Sequence, residues 1–92
     1  MLPIMVEQQP SVERLTQLGV ADWKVKNHDI SESSCVFEQR EIWYLLEGQV
    51  IITPDDGGVP VEIGAGDLVV FPAGISCCWE VLEPVRKQYR TG

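Results

Sequence analysis

Residues 66–74 of this chain read GDLVVFPAG, and this stretch decides the fold. Its apolar centre, residues 67–71, has the length and composition of a buried β-strand, and the proline and glycine that follow end the strand. Outward from it, further short runs of β-forming residues alternate with turns. One turn is PDDGG at 54–58, where proline presets φ and glycine supplies a positive φ. Short strands with turn signals at this spacing predict an all-β sandwich or barrel.

Upstream of the strands, residues 10–19 carry the one convincing helix signal. Ser11 is a candidate N-cap, apolar residues recur at helical spacing along one face, and Gly19 ends the segment. A chain of 92 residues is expected to form one domain. We therefore divide the chain into an N-terminal segment with a short helix, residues 1–22, and a β-barrel over residues 23–92.

Composition argues against several classes of partner. Fourteen acidic against seven basic residues give a net charge of −7. Nucleic-acid backbones and anionic membrane surfaces are bound by clustered Lys and Arg, so we expect neither partner. Three cysteines without a CxxC motif do not resemble a secreted disulfide framework. The first ten residues lack the basic start and the long apolar run of a signal peptide, which favours a cytoplasmic protein.

Two motifs resemble those of the cupin family. Glu41 followed by Gly48 resembles the end of the first cupin motif, and residues 66–74 resemble the second. The C-terminal run WEVLEPVRKQYR, residues 79–90, resembles small cupins related to ureidoglycine aminohydrolases and to ethanolamine-utilisation cupins, of which several single-domain members have no known function. The resemblance implies a single RmlC-like jelly-roll barrel of two antiparallel sheets, with the ligand or metal inside its mouth.

The same resemblance implies where a cupin metal would bind, and here the usual ligands are missing. The two histidines of the first motif fall on Cys35 and Phe37, and the histidine of the second falls on Cys77. Only Glu41 is retained. We therefore expect no metal or other cofactor, and a function in metal-free binding of a small molecule inside the barrel, with any catalysis left open.

Two alternatives to metal-free binding remain open from the sequence. In one, Cys35, Glu41 and Cys77 hold a soft metal such as zinc in a metal-dependent enzyme. In the other, the chain is a structural or interaction protein whose barrel mouth is plugged by large side chains. The aromatic residues that would plug it are Phe37, Trp43 and Trp79.

Strand alternation predicts which side chains face the barrel interior. Between residues 75 and 82 the polar positions should face water, so Cys77 and Trp79 point inward and Cys78 points outward. Glu41 is the candidate catalytic residue, as a general acid or base, although a strand-start carboxylate is also typical of a solvated or hydrogen-bonded rim. The predicted ligand pocket comprises Cys35, Phe37, Glu41, Trp43, Cys77 and Trp79.

The remaining polar groups are expected to be less informative. Besides binding metal, Cys35 and Cys77 fit small core residues or an oxidisable thiol pair. The single histidine, His28, lies in a polar stretch and is expected in a solvated loop. The basic cluster near the C-terminus is expected to be a solvated strand edge, the alternative being a rim that recognises anions. This cluster comprises Arg86, Lys87 and Arg90.

Residues 41–47, EIWYLLE, are apolar on both strand faces. One face carries Trp43 and the other carries Tyr44 and Leu46. A strand of this kind is covered on both sides. On so small a barrel we expect the second cover to be another subunit, which predicts a homodimer.

Overall fold

The computed structural model describes residues 3–92. These residues form seven antiparallel strands, one α-helix and one short 3₁₀ helix, so the all-β prediction is confirmed. No helix in this range is long and apolar enough to cross a membrane. The strands are β1 (Met5–Glu7), β2 (Lys24–His28), β3 (Ser31–Val36), β4 (Glu41–Pro54), β5 (Val61–Gly64), β6 (Leu68–Phe71) and β7 (Ser76–Thr91).

The N-terminal segment contains the predicted helix and, in addition, a strand. Helix α1 (Val12–Leu18) begins where the Ser11 side chain accepts a hydrogen bond from the Arg14 N–H and ends at Gly19, which is left-handed with φ 70°. The strand β1 precedes the helix and pairs with β6. Its three residues are too few for an alternation pattern, which is why the sequence did not predict it.

The two long strands β4 and β7 organise the barrel. They pair with each other along most of their length, with register shifts between residues 45 and 50 of β4. The first half of β4 also pairs with β6 and its second half with β5. The first half of β7 pairs with β3 and its second half with β2. Each long strand therefore passes from one group of short strands to the other, as expected for a jelly roll.

Gly48 allows the two long strands to bend against each other. Its φ is +97°, and a Cβ built there would lie 2.3 Å from the carbonyl oxygen of Pro84 and 2.8 Å from the Cα of Val85. Any side chain would therefore collide with the backbone of β7 in addition to adopting an unfavourable φ. This glycine is the one that the first motif predicted, and its role here is the close approach of two strands.

The core fills the space between the strands, and its pattern confirms the predicted alternation in β7. Cys77 is 1% exposed, whereas Glu80 is exposed. Trp79 is half-buried and packs against the core from the same face as Cys77. Cys78 lies on the opposite face, where its Sγ is 3.4 Å from the Ser34 hydroxyl.

The outer face of β4 is covered in part by the chain itself. Ile42 is buried on this face, while Tyr44 and Leu46 are half-buried. Leu15 of α1 and the buried Val20 lie with Tyr44 around one surface groove. The apolar second face, which motivated the homodimer, is therefore explained partly by the N-terminal segment.

Candidate functional site

A cavity of about 410 Å³ lies among β2, β3, β4, β7 and the loop between β3 and β4. Five of the six predicted pocket residues line it: Cys35, Phe37, Glu41, Trp43 and Trp79. The sixth, Cys77, does not line it and is buried in the core. The structure thus brings five of the six predicted residues together around one cavity and places Cys77 in the core.

Aromatic rings form the wall of the cavity nearest the core. The ring centroids of Trp43 and Trp79 are 5.1 Å apart, and those of Trp43 and Phe71 are 4.6 Å apart. Phe37 stacks on Phe71 at 4.3 Å with an interplanar angle of 11°. Since these rings pack against one another, the wall is rigid and continuous with the hydrophobic core.

Glu41 is held in place by a neighbour on its own strand. Its Oε1 accepts a hydrogen bond of 2.7 Å from the indole Nε1–H of Trp43, two residues along β4 on the same face. Glu41 is half-buried at the start of the strand. The bond fixes the carboxylate beside the aromatic wall and satisfies the Trp43 donor.

Lys87 is the principal residue that the sequence analysis missed. It is 3% exposed, and its Nζ lies 3.1 Å from the centroid of the Trp43 ring and 5.2 Å from that of Trp79. Burial lowers the pKa of Lys87 to about 7, and the nearby negative charge of Glu41 partly opposes that shift. Lys87 therefore places an easily deprotonated amine at the cavity wall.

The expectation of a solvated basic edge is wrong for Lys87, although Arg86 and Arg90 are exposed. Strand alternation explains the difference, because Val85, Lys87 and Tyr89 share one face of β7 and that face turns inward. The signal was present in the sequence. The cluster of three basic residues outweighed this alternation in the prediction, because charge clusters are typical of surfaces.

His28 also differs from expectation, since it lies at the end of β2 and lines the cavity. Its ring centroid is 4.7 Å from that of Trp79 in an edge-on arrangement. Burial, with the positive charges of Lys87 and Lys26, lowers the pKa of His28 to about 4, so the ring is neutral at pH 7. Within residues 3–92, the buried His28 Nε2 and Trp79 Nε1 have no hydrogen-bond partner.

Two cysteines face each other across neighbouring strands. Cys35 of β3 is the direct register partner of Cys77 of β7, and both are free thiols. Burial raises the pKa of Cys77 to about 11 and, with the charge of Glu41, raises the pKa of Cys35. Both thiols are therefore protonated at neutral pH.

The side chains do not fit the metal centre of a cupin. In the part of the chain from residue 3 to 92, no group of three or more His, Cys, Asp or Glu side chains could hold a metal ion. Phe37, at one of the family's histidine positions, presents only a hydrocarbon ring, and the Lys87 amine adds positive charge when protonated. Within the described residues, Cys35, Glu41 and Cys77 are therefore not assembled into a candidate metal centre.

Comparison with solved structures supports the fold along its whole length. A DUF861 family protein from Thermotoga maritima is 40% identical, with a TM-score of 0.93, over 98% of this chain and 100% of that one. A DUF861 family protein of unknown function from Pseudomonas syringae is 28% identical with a TM-score of 0.66, over 74% of this chain but only 29% of that one. The EutQ protein of Clostridium difficile, at 19% identity, shares the fold, with a TM-score of 0.66 over 96% of this chain and 66% of that one.

Sequence comparison assigns the family. No curated protein matches the chain. The sequence profile of the EutQ-like cupin domain matches residues 15–89, which include the second motif, Glu41, Gly48 and Lys87. Because the match covers most of the chain and agrees with the jelly-roll topology, this chain belongs to the family of EutQ-like cupin domains.

Proposed function

We propose that this protein binds a small organic molecule with a carbonyl or carboxylate oxygen in the cavity, without a metal ion. The observation that carries this proposal is the pair of unpartnered nitrogens, Trp79 Nε1 and His28 Nε2, on two side chains that line the same cavity. An indole N–H is only a donor, so its missing partner is an acceptor. A buried polar group without a partner costs about 1–3 kcal/mol, which a ligand oxygen would recover.

The size and walls of the cavity support binding over the plugged-barrel alternative. Its volume of about 410 Å³ falls within the range of roughly 300–1,000 Å³ typical of ligand sites. The faces of Trp43 and Trp79 provide an apolar wall for the body of a flat ligand. Lys26 and, when protonated, Lys87 supply positive charge for its oxygen, and Glu41 lines the same cavity as an acceptor.

A thermal-shift screen of small aldehydes, ketones, amides and carboxylates tests this function. A ligand at about 100 times its Kd adds about 2.7 kcal/mol of stability, which for a domain of this size raises Tm by roughly 10 °C or more. Trp79→Phe keeps the ring but removes the N–H, so it should reduce the shift. Trp23→Phe is the matched control, since Trp23 lines a separate groove. Absence of any shift in the wild type, or equal losses in both variants, would contradict the proposal.

Two further proposals concern the cellular location and the ancestry of the protein. Three free cysteines support a place in the reducing cytoplasm. The C-terminal run WEVLEPVRKQYR, residues 79–90, supports descent from the branch that contains the ureidoglycine aminohydrolases. Such descent would not carry over a metal-dependent reaction, because the donor set differs.

We also propose a homodimer. The two outermost strands of the main sheet path, β1 and β2, each leave an apolar side chain exposed, Met5 at 63% and Val25 at 48%. Edge strands with exposed apolar residues are suited to pairing with a second copy. Light scattering at micromolar concentration should give twice the chain mass, and Met5→Lys should lower it. A wild-type protein that is monomeric under these conditions would reject the dimer.

A further inference from the structure

The proposed binding function uses Lys87 only as a positive charge, although its amine is also a potential nucleophile. The Lys87 amine lies at the cavity wall over the face of Trp43, at 3.1 Å from the ring centroid. No salt bridge to Lys87 exists within residues 3–92. Its positive charge, when present, is stabilised mainly by aromatic faces and by the more distant Glu41. A buried ammonium without a paired carboxylate is costly, so these surroundings favour loss of its proton.

Charged groups on every neighbouring strand act on this amine. Burial is the largest influence and lowers the pKa of Lys87 to about 7; Glu41 of β4 opposes this shift and Lys26 of β2 adds to it. Cys35 of β3 would oppose the shift only as a thiolate, and its own raised pKa keeps it protonated near neutral pH. His28 of β2 is neutral at this pH and adds no charge. A substantial fraction of Lys87 is therefore unprotonated near neutral pH. An unprotonated lysine amine in an apolar pocket is a nucleophile toward carbonyl compounds.

We propose that Lys87 forms a reversible imine with a small aldehyde or ketone that enters the cavity. The proposal rests on the binding function above and narrows its ligand class to reactive carbonyls. In the first step the Nζ lone pair forms a bond to the carbonyl carbon, and the carbonyl π electrons move to the oxygen. A proton passes from nitrogen to that oxygen, which gives a carbinolamine.

In the second step the hydroxyl takes up a proton and leaves as water while the nitrogen lone pair forms the C=N bond. The nitrogen then returns a proton, so the net change is amine plus carbonyl giving imine plus water. No oxidant or reductant takes part. Glu41, whose carboxylate is fixed by Trp43 and lines the same cavity, is suited to carry these protons. The unpartnered Trp79 N–H is the donor suited to polarise the carbonyl.

The chain supplies its own controls for a reactive lysine. It contains three lysines, Lys24, Lys26 and Lys87. Lys24 and Lys26 both lie on β2 and are exposed, and Lys26 also lines the cavity. Lys24 therefore reports the reactivity of an ordinary surface amine, and Lys26 reports any effect of proximity to the cavity alone.

Reductive trapping tests the imine directly. The full chain is incubated at pH 7 with propionaldehyde and sodium cyanoborohydride, and the adducts are located by peptide mass spectrometry. Because a substantial fraction of Lys87 is unprotonated at this pH, we expect initial labelling of Lys87 to exceed that of the exposed Lys24 by roughly tenfold or more. Lys87→Met, which keeps an apolar side chain of similar length, should remove the fast phase and leave slow labelling of Lys24 and Lys26.

The pH dependence of Lys87 labelling can be measured on the wild-type protein alone, so this test does not require a folded variant. Labelling of Lys87 should rise to a plateau just above pH 7, in keeping with its pKa of about 7. Equal rates at Lys87 and Lys24, or parallel profiles, would overturn the imine. A compound from the thermal-shift screen that raises Tm in a Trp79-dependent manner while Lys87 resists labelling would reject the imine alone. Failure of both the screen and the labelling would reject the binding function as well.

Discussion

The two halves of β7 each bury a potential nucleophile on the inner face, and burial affects them in opposite ways. In the first half, Cys77 is 1% exposed among core residues; in the second, Lys87 is 3% exposed beneath aromatic rings. Burial favours the neutral form of each, raising the pKa of the thiol to about 11 and lowering that of the amine to about 7. A neutral thiol is unreactive and a neutral amine is reactive. Burial therefore makes the Cys77 thiol unreactive and the Lys87 amine reactive.

The largest expected effect on stability comes from disrupting the bend at Gly48, where β4 packs closely against β7 between its two halves. Gly48→Ala places a Cβ 2.3 Å from the Pro84 carbonyl oxygen at a φ of +97°. We expect a loss of at least about 2–3 kcal/mol of unfolding free energy, from backbone strain and displaced strands together. Chemical denaturation followed by tryptophan fluorescence measures it.

Gly57→Ala is the matched control for this bend. Its φ of +87° is similarly unfavourable, but nothing lies within 4 Å of the added Cβ. It should therefore lose only the strain component. Equal losses in the two variants would mean that the close approach of β4 and β7 contributes nothing to stability.

The second effect is a pH dependence of stability that originates at Lys87. Its folded pKa of about 7 lies below the value of about 10.4 expected in the unfolded chain. Between these values the unfolded state binds more protons, so stability rises with pH. Wild-type protein should therefore gain on the order of a few kcal/mol relative to Lys87→Met between pH 7 and pH 10. Denaturation curves that move in parallel across this window would show that Lys87 titrates as a surface lysine.

The sequence predicted the residues whose position follows from short-range pattern. The caps of α1, the turn after β6 and the inward direction of Cys77 all follow from spacing and residue type. Lys87 was missed although alternation along β7 places it inward, and His28 was missed because its position beside Trp43 and Trp79 depends on the long-range pairing of β2 with β7. In the prediction, the polar character of Lys87 and His28 counted for more than strand alternation, so both were expected to be solvated. In the structure, both side chains pack against the tryptophan rings instead.

The third effect is the low reactivity of the thiol. With its pKa raised to about 11, Cys77 should form so little thiolate at pH 8 that iodoacetamide modifies it roughly a hundredfold more slowly than an ordinary cysteine. Cys78, half-buried on the opposite face, is the internal reference. Time-resolved mass spectrometry of the native protein, with a urea-unfolded sample to confirm that both sites can react, measures the ratio. Rapid labelling of Cys77 in the native protein would show that burial does not suppress the reactivity of this thiol, and the opposite effects proposed for Cys77 and Lys87 would not hold.

The smallest effect on stability concerns Glu41, whose negative charge raises the pKa of Lys87. Glu41→Gln keeps an oxygen that can accept the Trp43 N–H but removes the negative charge that raises the pKa of Lys87. At pH 8.5 Lys87 is mostly neutral and little attraction is lost, so stability should match the wild type. At pH 6 Lys87 is mostly protonated, and the variant should lose up to about 1 kcal/mol.

Glu38→Gln, an exposed residue of the same cavity, should change neither value. Because Lys87 would deprotonate more readily in Glu41→Gln, the window in which stability rises should begin at a lower pH. A loss of equal size at both pH values would mean that Glu41 stabilises the fold through its hydrogen bond and not through Lys87.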